Sequence, residues 1–501
     1  MNLYNKRRVS LNVLTTVIQV VVTGVVFIFF YRYLLDRLGV EQLGVWSIVL
    51  ATASVSRIGD FGLSAGVVRF VAQALAKEDR LGAAEIVETV AITLGLLMAV
   101  LLSAGIPFFK SVLEYLLFGQ ERVTAFEILP YVLLSVWGMM IAGVFLAGLD
   151  GCQRIDLRSW LMAISNIFFL ILTILWVPHF GLKGAAFAQV VQSLVLAFVS
   201  WWTLRRQVED LAIFPIRWRL PVLRQMIGYG VSSQVISIMS VLFDSITKGL
   251  MSKFGGLSSL GYYEMANKLL IQSRAIIVEA NRVIVPMVST IKERQPEKVV
   301  KIFTRSYRSL FYFAVLFYMC VAISLPSISV LWIGSYQSIF VQYALLLTFG
   351  WFVNTLAVPA FFLNYGTGEL RQNVITQSII GLVGFGAGSI LGFLTNGIGV
   401  VLGSVFGLTV GSVFLIVFHM RKSGMCWSEV IIPRDMWHLL VIGSIAVWLS
   451  AYGSYAYRSR AVVLTIGVIC VVGIMILGWT HSMRKELFRL MQESLTTAQT
   501  L

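Results

Sequence analysis

The stretch LLDRLGVEQLGVW at Leu34–Trp46 recurs later in the chain as LMSKFGGLSSLGYY at Leu250–Tyr263. In both copies a basic residue precedes an apolar residue and a glycine, and a Leu-Gly-x-aromatic sequence follows. The offset is 216 residues at the start and 217 after a one-residue insertion. LAGLDGCQR at Leu146–Arg154 pairs with LNYGTGELR at Leu363–Arg371 at the same offset of 217. Matches in order at a nearly constant offset predict an internal duplication.

The composition is that of a membrane protein. The 501 residues are 58% hydrophobic and 13% charged, and the mean hydropathy is +0.85. Soluble domains are closer to half apolar and a quarter charged. The first apolar segment directly follows MNLYNKRRVS and has full length, so we predict a retained first helix rather than a cleaved signal. These features exclude a soluble enzyme with a single anchor.

Fourteen apolar windows are long enough to cross a bilayer, which takes about 20 residues each. They lie near 11–33, 43–66, 86–109, 127–149, 157–177, 183–204, 226–250, 260–288, 307–333, 338–364, 373–394, 397–419, 437–456 and 461–480. Each repeat holds six, an even number, so both copies enter the membrane from the same side. We therefore predict an all-α polytopic protein. Its two six-helix lobes are related by a pseudo-twofold along the membrane normal, with two further C-terminal helices.

The repeat and the charge distribution predict the domain limits. These are an N-terminal lobe at 1–206, a cytoplasmic linker at 207–225, a C-terminal lobe at 226–422, two additional spans at 423–482 and a cytoplasmic interfacial tail at 483–501. The net charge is +15. Most Lys and Arg residues outside the spans fall on the N-terminal side of the membrane. Because cytoplasmic loops collect such residues, both termini are predicted to be cytoplasmic.

The eighth span, Leu260–Pro286, carries several charged side chains. A charge at the bilayer centre costs about 2.5–3.5 kcal/mol on insertion scales. On an ideal helix the following side chains fall within an arc of about 80°, with Arg274 outside it: Glu264, Lys268, Gln272, Glu279 and Arg282. A one-sided polar stripe faces a bundle interior or a water-filled cavity rather than lipid.

Neighbouring spans carry polar faces as well. The seventh has Ser233, Ser237, Ser240, Asp244 and Lys248 on one face, and the first has a milder face of Asn12, Thr16, Gln19 and Thr23. The second carries Arg57 and Asp60, and the repeat offset maps Arg57 onto Arg274. We expect spans 1, 2, 7 and 8 to line a central cavity between the lobes.

The slight excess of cations over carboxylates in these spans suits a phosphate-bearing substrate, to which Arg offers bidentate contacts. The predicted substrate-binding residues are Arg57, Lys248, Lys268, Gln272, Arg274 and Arg282. The candidates for ion coupling or for salt bridges are Asp60, Asp244, Glu264 and Glu279.

A purely structural interpretation competes with substrate binding. Neighbouring charges have the spacing of helix pairs, namely Glu264–Lys268, Asp244–Lys248, Glu279–Arg282 and Arg57–Asp60. The concentration of charges in spans 2, 7 and 8 favours the functional interpretation. The four cysteines and four histidines are scattered, so no metal site and no catalytic Cys/His pair is predicted.

Two stretches resemble oligosaccharide flippases of the Wzx type, in the multidrug/oligosaccharidyl-lipid/polysaccharide exporter superfamily. They are LGVEQLGVWSIVLATASVSRIGDFGLSAGVVRFVAQ at Leu38–Gln73 and SLGYYEMANKLL at Ser259–Leu270. The resemblance implies flipping of an undecaprenyl-diphosphate-linked oligosaccharide to the outer leaflet by alternating access, for O-antigen, exopolysaccharide or capsule assembly. It also implies a cell-membrane location, no enzymatic activity, and a glycan polymerase and chain-length machinery as partners.

Three alternatives stay open at this point. A lipid II flippase has a similar architecture and is the nearest. A cation-coupled drug exporter is expected to carry cavity carboxylates without a basic majority. A membrane glycan polymerase or ligase usually needs a sizeable outer loop with catalytic carboxylates, whereas the outer loops here are short. No cofactor and no nucleic acid is predicted, but carboxylates at membrane depth allow coupling to H+ or Na+.

Overall fold

The computed structural model describes residues 3–213, 216–227, 231–281, 296–422, 436–457, 459–481 and 484. Every regular element in these ranges is helical, which confirms the all-α fold class. The predicted interfacial tail at 483–501, apart from Arg484, lies outside the described residues.

The helices follow one another with short connections. The first eight are α1 (Leu3–Leu38), α2 (Val40–Ser54), α3 (Leu63–Ala76), α4 (Arg80–Leu116), α5 (Gly119–Gly151), α6 (Ile155–Phe180), α7 (Leu182–Arg205) and α8 (Leu220–Ile227). The next eight are α9 (Val231–Leu250), α10 (Gly256–Asn281), α11 (Pro296–Ile328), α12 (Ser338–Leu356), α13 (Val358–Thr367), α14 (Arg371–Lys422), α15 (Met436–Tyr457) and α16 (Arg460–Thr480).

The number of membrane crossings agrees with the sequence. Eleven helical segments of the described chain are long and apolar enough to cross a membrane, or twelve with the bent second span. Two of these segments have 46 and 52 residues. At 1.5 Å per residue, each is about twice as long as the hydrocarbon core of a bilayer is thick. The longer one breaks at Thr395 and Asn396, and the shorter one at the π-helical turn Met251–Gly255. Counted as two spans each, they give the fourteen predicted.

The second span is broken, and its predicted end near residue 66 was wrong. After α2 the chain forms a 3-10 turn at Val55–Asp60. It then passes through positive φ at Phe61 (48°) and Gly62 (75°). The helix resumes as α3, bent by 43° from the first part, and continues to Ala76. The hydropathy window ended early because α3 carries Arg69 and Gln73 in its second half.

The chain forms two compact units, Met1–Glu264 and Met265–Leu501. In the first unit the apolar core joins α3, α4, α5 and α7, with residues such as Val67, Val87 and Leu149 fully buried. In the second unit the core joins α10, α11, α13, α14 and α15, around Tyr312 and Tyr318. The boundary between the two units lies inside α10, whereas the predicted boundary between the lobes lies in the linker at 207–225. The lobe limits therefore stay a prediction.

The two C-terminal helices pack on α11 in the second unit. Their glycines allow close approach: a Cβ on Gly443 would lie 2.1 Å from the Met319 sulfur, and one on Gly478 would lie 2.8 Å from Leu316. Ser450 donates a hydrogen bond to the backbone oxygen of Ile323 at 2.8 Å. Small residues and side-chain hydrogen bonds are the usual means of helix association in lipid.

The polar face of α1 makes hydrogen bonds to α6 within the first unit. Asn12 accepts a hydrogen bond from the Asp156 amide at 3.1 Å, and Thr23 accepts one from Asn166 at 2.9 Å. The Thr16 hydroxyl lies 3.4 Å from that of Ser159. These residues therefore join α1 to α6, and the cavity-lining role of α1 stays a prediction.

Candidate functional site

The beginnings of α2 and α10 meet through two glycines. A Cβ on Gly44 would lie 2.3 Å from the Leu257 carbonyl oxygen, and one on Gly261 would lie 2.4 Å from that of Val40. The repeat offset of 217 maps Val40 onto Leu257 and Gly44 onto Gly261. The same contact therefore occurs twice with its partners exchanged, as in an isologous interface. The duplication is thus visible as a local pseudo-twofold between these helix ends.

Ser47 and Glu264 lie one turn further along the same helices. They too are related by the offset of 217, and the Ser47 hydroxyl donates to Glu264 Oε2 at 3.0 Å. A residue that contacts its own repeat equivalent lies on the local axis. The duplication has diverged here, because the first copy carries a hydroxyl where the second carries a carboxylate.

Glu264 is the centre of a largely buried polar group that we call the axial cluster: Tyr31, Ser47, Asp244, Lys248 and Glu264. The Tyr31 hydroxyl donates to Glu264 Oε1 at 2.9 Å. The Lys248 ammonium lies 2.9 Å from Glu264 and 2.9 Å from Asp244. The side chains of Lys248 and Glu264 are 6% and 2% exposed, against 38% for Asp244. The cluster thus connects α1, α2, α9 and α10.

Asp244 and Lys248, four residues apart on α9, form the ion pair expected from their spacing. Lys248 also forms an ion pair with Glu264 on α10. A buried carboxylate is tolerated when cations and hydroxyls occupy its lone pairs, as Lys248, Tyr31 and Ser47 do here. Sequence reasoning missed Tyr31 and Ser47. The repeat offset could have identified Ser47, whereas no sequence signal indicates Tyr31.

Arg57 lies on the 3-10 turn of the broken span, and its side chain is exposed. The alternative that it pairs with Asp60 is wrong. Asp60 accepts hydrogen bonds from the Ser64 hydroxyl at 2.9 Å and the Ser64 amide at 3.3 Å, and so supports the start of α3. Arg57 forms no ion pair with any residue that the structure describes, although Asp244 acts on it electrostatically.

Helix α9 supports the break that carries Arg57. The Gln234 amide donates to the Ile58 carbonyl at 3.3 Å, and the Ser245 hydroxyl donates to the Ala51 carbonyl at 2.9 Å. Side chains of neighbouring helices satisfy freed carbonyls at membrane depth in this way. Discontinuous helices of this kind often form the binding sites of transporters.

Arg274 lies on α10 in the second unit, with an aromatic neighbour. Its guanidinium carbon is 5.2 Å from the centre of the Trp351 ring. Its Nε is buried without a hydrogen-bond partner, and no carboxylate pairs with it in the described part of the chain. The Trp351 indole N–H donates to the Asn267 side-chain oxygen at 3.1 Å.

The rest of the predicted stripe on α10 is half-buried. Lys268, Gln272 and Glu279 lie on this face, and each makes a polar or electrostatic interaction. On the other face Leu270 is 0% and Ile277 3% exposed, as a one-sided stripe requires. Arg282 lies outside the described residues.

The described residues contain no group of three or more side chains able to hold a metal ion. Buried His419 instead lies 2.9 Å from the Asn364 side chain. Among the cysteines, Cys152 lies in the loop after α5. Burial raises the pKa of its thiol to about 11, although Arg154 acts in the opposite direction.

Comparison with known proteins gives one family and several related folds. A family model described as "Polysaccharide biosynthesis protein" matches residues 9–292. No curated protein sequence matches the chain. Among solved structures, an inward-facing multidrug resistance transporter of the MATE family aligns with a TM-score of 0.70 and 16% identity, over 80% of this chain and 94% of that one.

Two further structures extend the comparison. The lipid II flippase MurJ in an inward closed conformation aligns with a TM-score of 0.69 and 12% identity, over 92% of this chain and 98% of that one. A transporter of the MOP superfamily from Pyrococcus furiosus Vc1 aligns with a TM-score of 0.61 and 16% identity, over 84% and 96%. At these identities the likeness concerns the fold, and it confirms the two-lobe, multi-pass architecture.

Proposed function

The chain belongs to the polysaccharide biosynthesis protein family, and on this premise we propose that it flips an undecaprenyl-diphosphate-linked oligosaccharide. Translocation runs from the cytoplasmic to the outer leaflet by alternating access, and the product enters O-antigen, exopolysaccharide or capsule assembly. The protein acts as a transporter rather than as an enzyme. Both termini lie in the cytoplasm, and a glycan polymerase with its chain-length machinery receives the product.

The observation that carries this proposal is the state of the two repeat-equivalent arginines. Arg57 and Arg274 lie in membrane segments, yet neither forms an ion pair within the described residues. A cation at membrane depth without an ion pair is costly, and an anionic ligand would lower that cost. A diphosphate group supplies this charge, and guanidinium groups bind it through short charge-assisted hydrogen bonds.

The other predicted cations contribute to the same function differently. Lys248 lies between Asp244 and Glu264, so its charge is compensated before any ligand arrives. Lys268 and Gln272 line the half-buried face of α10 and are proposed to contact the polar part of the substrate. Arg282 keeps its proposed role in binding the diphosphate.

The axial cluster offers a route for energy coupling. With the N-terminus in the cytoplasm, the contact between α2 and α10 lies towards the outside. We propose that the Lys248–Glu264 pair holds this end closed, and that protonation of Glu264, or Na+ binding beside Asp244, releases it. Asp60 and Glu279 are less suited to this role, because Asp60 is engaged by Ser64 and Glu279 lies far along α10.

A lipid II flippase is the second candidate function. The MurJ structure aligns over nearly its whole length, and lipid II presents the same diphosphate on a different glycan. A drug exporter is less favoured, because arginines without ion pairs would repel cationic compounds. No specific observation favours a polymerase or ligase.

The test is surface glycan in the native host. Cells lacking the protein are complemented with wild type, Arg274→Lys, Arg274→Ala or Arg57→Ala at matched expression. Loss of a charge-assisted hydrogen bond costs about 1.5–3 kcal/mol, so both alanine variants should lower surface glycan strongly, with Arg274→Lys intermediate because a lysine lacks the bidentate fork.

Arg122→Ala serves as a matched control, because Arg122 pairs with Glu114 at an exposed site and should behave like wild type. Normal surface glycan with both Arg57→Ala and Arg274→Ala would assign these arginines a structural role. A host defect in peptidoglycan instead of surface glycan would favour the lipid II alternative.

A further inference from the structure

Arg274 has an aromatic ring rather than a carboxylate as its neighbour. Lys248, a deeply buried cation on α9, is compensated by two carboxylates. Arg274 lies instead over the face of Trp351. A carboxylate would cancel its charge and occupy its donors, whereas an aromatic face attracts the cation and leaves the charge in place.

The indole is itself held in a defined orientation. Trp351 belongs to α12, and its N–H donates to Asn267 on α10 at 3.1 Å. Asn267 is 4% exposed and precedes Arg274 by seven residues, so both project from one side of α10. The tryptophan is thereby attached to α10 at two points, through its N–H and through its ring face.

Within the part of the chain that the structure describes, no anionic side chain pairs with Arg274. Of the titratable groups that the structure describes, the one that interacts with it electrostatically is Tyr318, a neutral phenol. The Tyr318 hydroxyl and that of Thr355 lie 2.7 Å apart. The Nε of Arg274 is buried and without a partner. The site is therefore a half-buried cation with one buried donor, Nε, left without a partner.

We propose that Trp351 is a positioning residue that keeps Arg274 uncompensated and aimed for an anionic ligand, with Asn267 fixing the indole. This inference rests on the proposed function and deepens it. The ligand is the diphosphate of the lipid-linked substrate. We expect the arrangement of Asn267, Trp351 and Arg274 to favour this anionic group over an uncharged one. Trp351 and Asn267 act through Arg274 and need no contact with the substrate.

Binding of a short lipid diphosphate tests the proposal. Purified full-length protein in detergent is titrated with farnesyl diphosphate and, separately, with uncharged farnesol. Trp351→Leu should weaken diphosphate binding roughly 2- to 30-fold, the range of a cation–π contact. It should leave farnesol binding unchanged, and Trp351→Phe, which keeps a ring face, should recover most of the affinity.

A double-mutant cycle separates positioning from general packing. In an Arg274→Ala background, Trp351→Leu should cause little further loss, because the residue that it positions is gone. Phe349→Leu is the matched control, since Phe349 lies on the same helix and is 55% exposed. It should bind farnesyl diphosphate like wild type.

The outcomes separate this inference from the proposed function. If Arg274→Ala weakens diphosphate binding while Trp351→Leu does not, the positioning role is overturned and the function stands. If Arg274→Ala itself binds normally, the diphosphate role proposed for Arg274 fails. Should Trp351→Leu fail to fold, Asn267→Ala is the second variant. It should weaken diphosphate binding without affecting farnesol, and equal loss for both ligands would contradict the proposal.

Discussion

At the scale of single residues, the neighbours of a buried cation decide its role. Lys248 and Arg274 both lie on membrane helices, Lys248 within a polar face and Arg274 beside one, and both were predicted to bind substrate. Lys248 has two carboxylate neighbours, whereas Arg274 has an indole. The sequence predicts that charges lie inside the bundle, but not their partners, because residues such as Glu264 and Trp351 come from other helices.

The axial cluster makes a prediction about stability. Lys248→Met leaves the Glu264 carboxylate buried without a cation, which should cost about 3–5 kcal/mol. The double variant Lys248→Met/Glu264→Gln removes both charges and should recover much of that loss. Thermal unfolding of the purified protein measures both. A double variant as unstable as the sum of the single variants would contradict the coupling.

The half-buried thiol of Cys152 makes a prediction about pH. Because burial raises its pKa to about 11, the reactive thiolate is scarce at neutral pH. Compared with a thiol of pKa 9, its rate of alkylation at pH 8 should be roughly 100-fold lower. The rate should then rise until the pH approaches 11. Mass spectrometry after timed iodoacetamide treatment measures this, and a half-maximal rate near pH 9 would contradict the raised pKa.

At the scale of elements, the informative features are breaks and close contacts. Apolar windows gave the spans to within several residues, because hydropathy reports what faces lipid. They misplaced the end of the second span, because α3 combines a buried face at Val67 and Val71 with polar residues that lower its hydropathy. The sequence shows that the glycines of α2 and α10 are repeat equivalents. Only the structure shows that the two helices touch there.

That contact predicts the effect of adding one methyl group. Gly44→Ala and Gly261→Ala each place a Cβ within 2.4 Å of a carbonyl oxygen of the other helix, so α2 and α10 should separate at this end. Cysteines introduced at Val40 and Leu257 should then cross-link less readily. Gly143→Ala is the control, because its Cβ would meet nothing within 4 Å. Undiminished cross-linking in both variants would contradict the contact.

At the scale of the whole molecule, the repeat, the family match and the related folds all indicate a multi-pass protein of two lobes. The duplication predicted two lobes, the family model covers the first lobe and the start of the second, and the related transporters share the architecture. The substrate is a matter of chemistry that a fold does not specify. The two arginines, which form no ion pair within the described residues, therefore support the proposal of a lipid diphosphate.

The proposed cavity predicts a one-sided accessibility pattern along α10. Single cysteines at Lys268, Gln272 and Glu279 should react with a water-soluble maleimide in membranes, while those at Leu270 and Ile277 should not, because these positions are buried in the apolar core. Equal labelling on all sides would contradict a cavity-lining role for this helix.

The most direct test of the central claim is translocation in proteoliposomes. Purified protein is reconstituted with a fluorescent undecaprenyl-diphosphate-linked oligosaccharide, and the fraction reaching the opposite leaflet is followed over time. The account predicts faster translocation with wild type than in protein-free vesicles, a strong decrease with Arg274→Ala, and no effect on a fluorescent zwitterionic phospholipid. Equal rates with wild type and Arg274→Ala, or equal acceleration of the phospholipid, would contradict it.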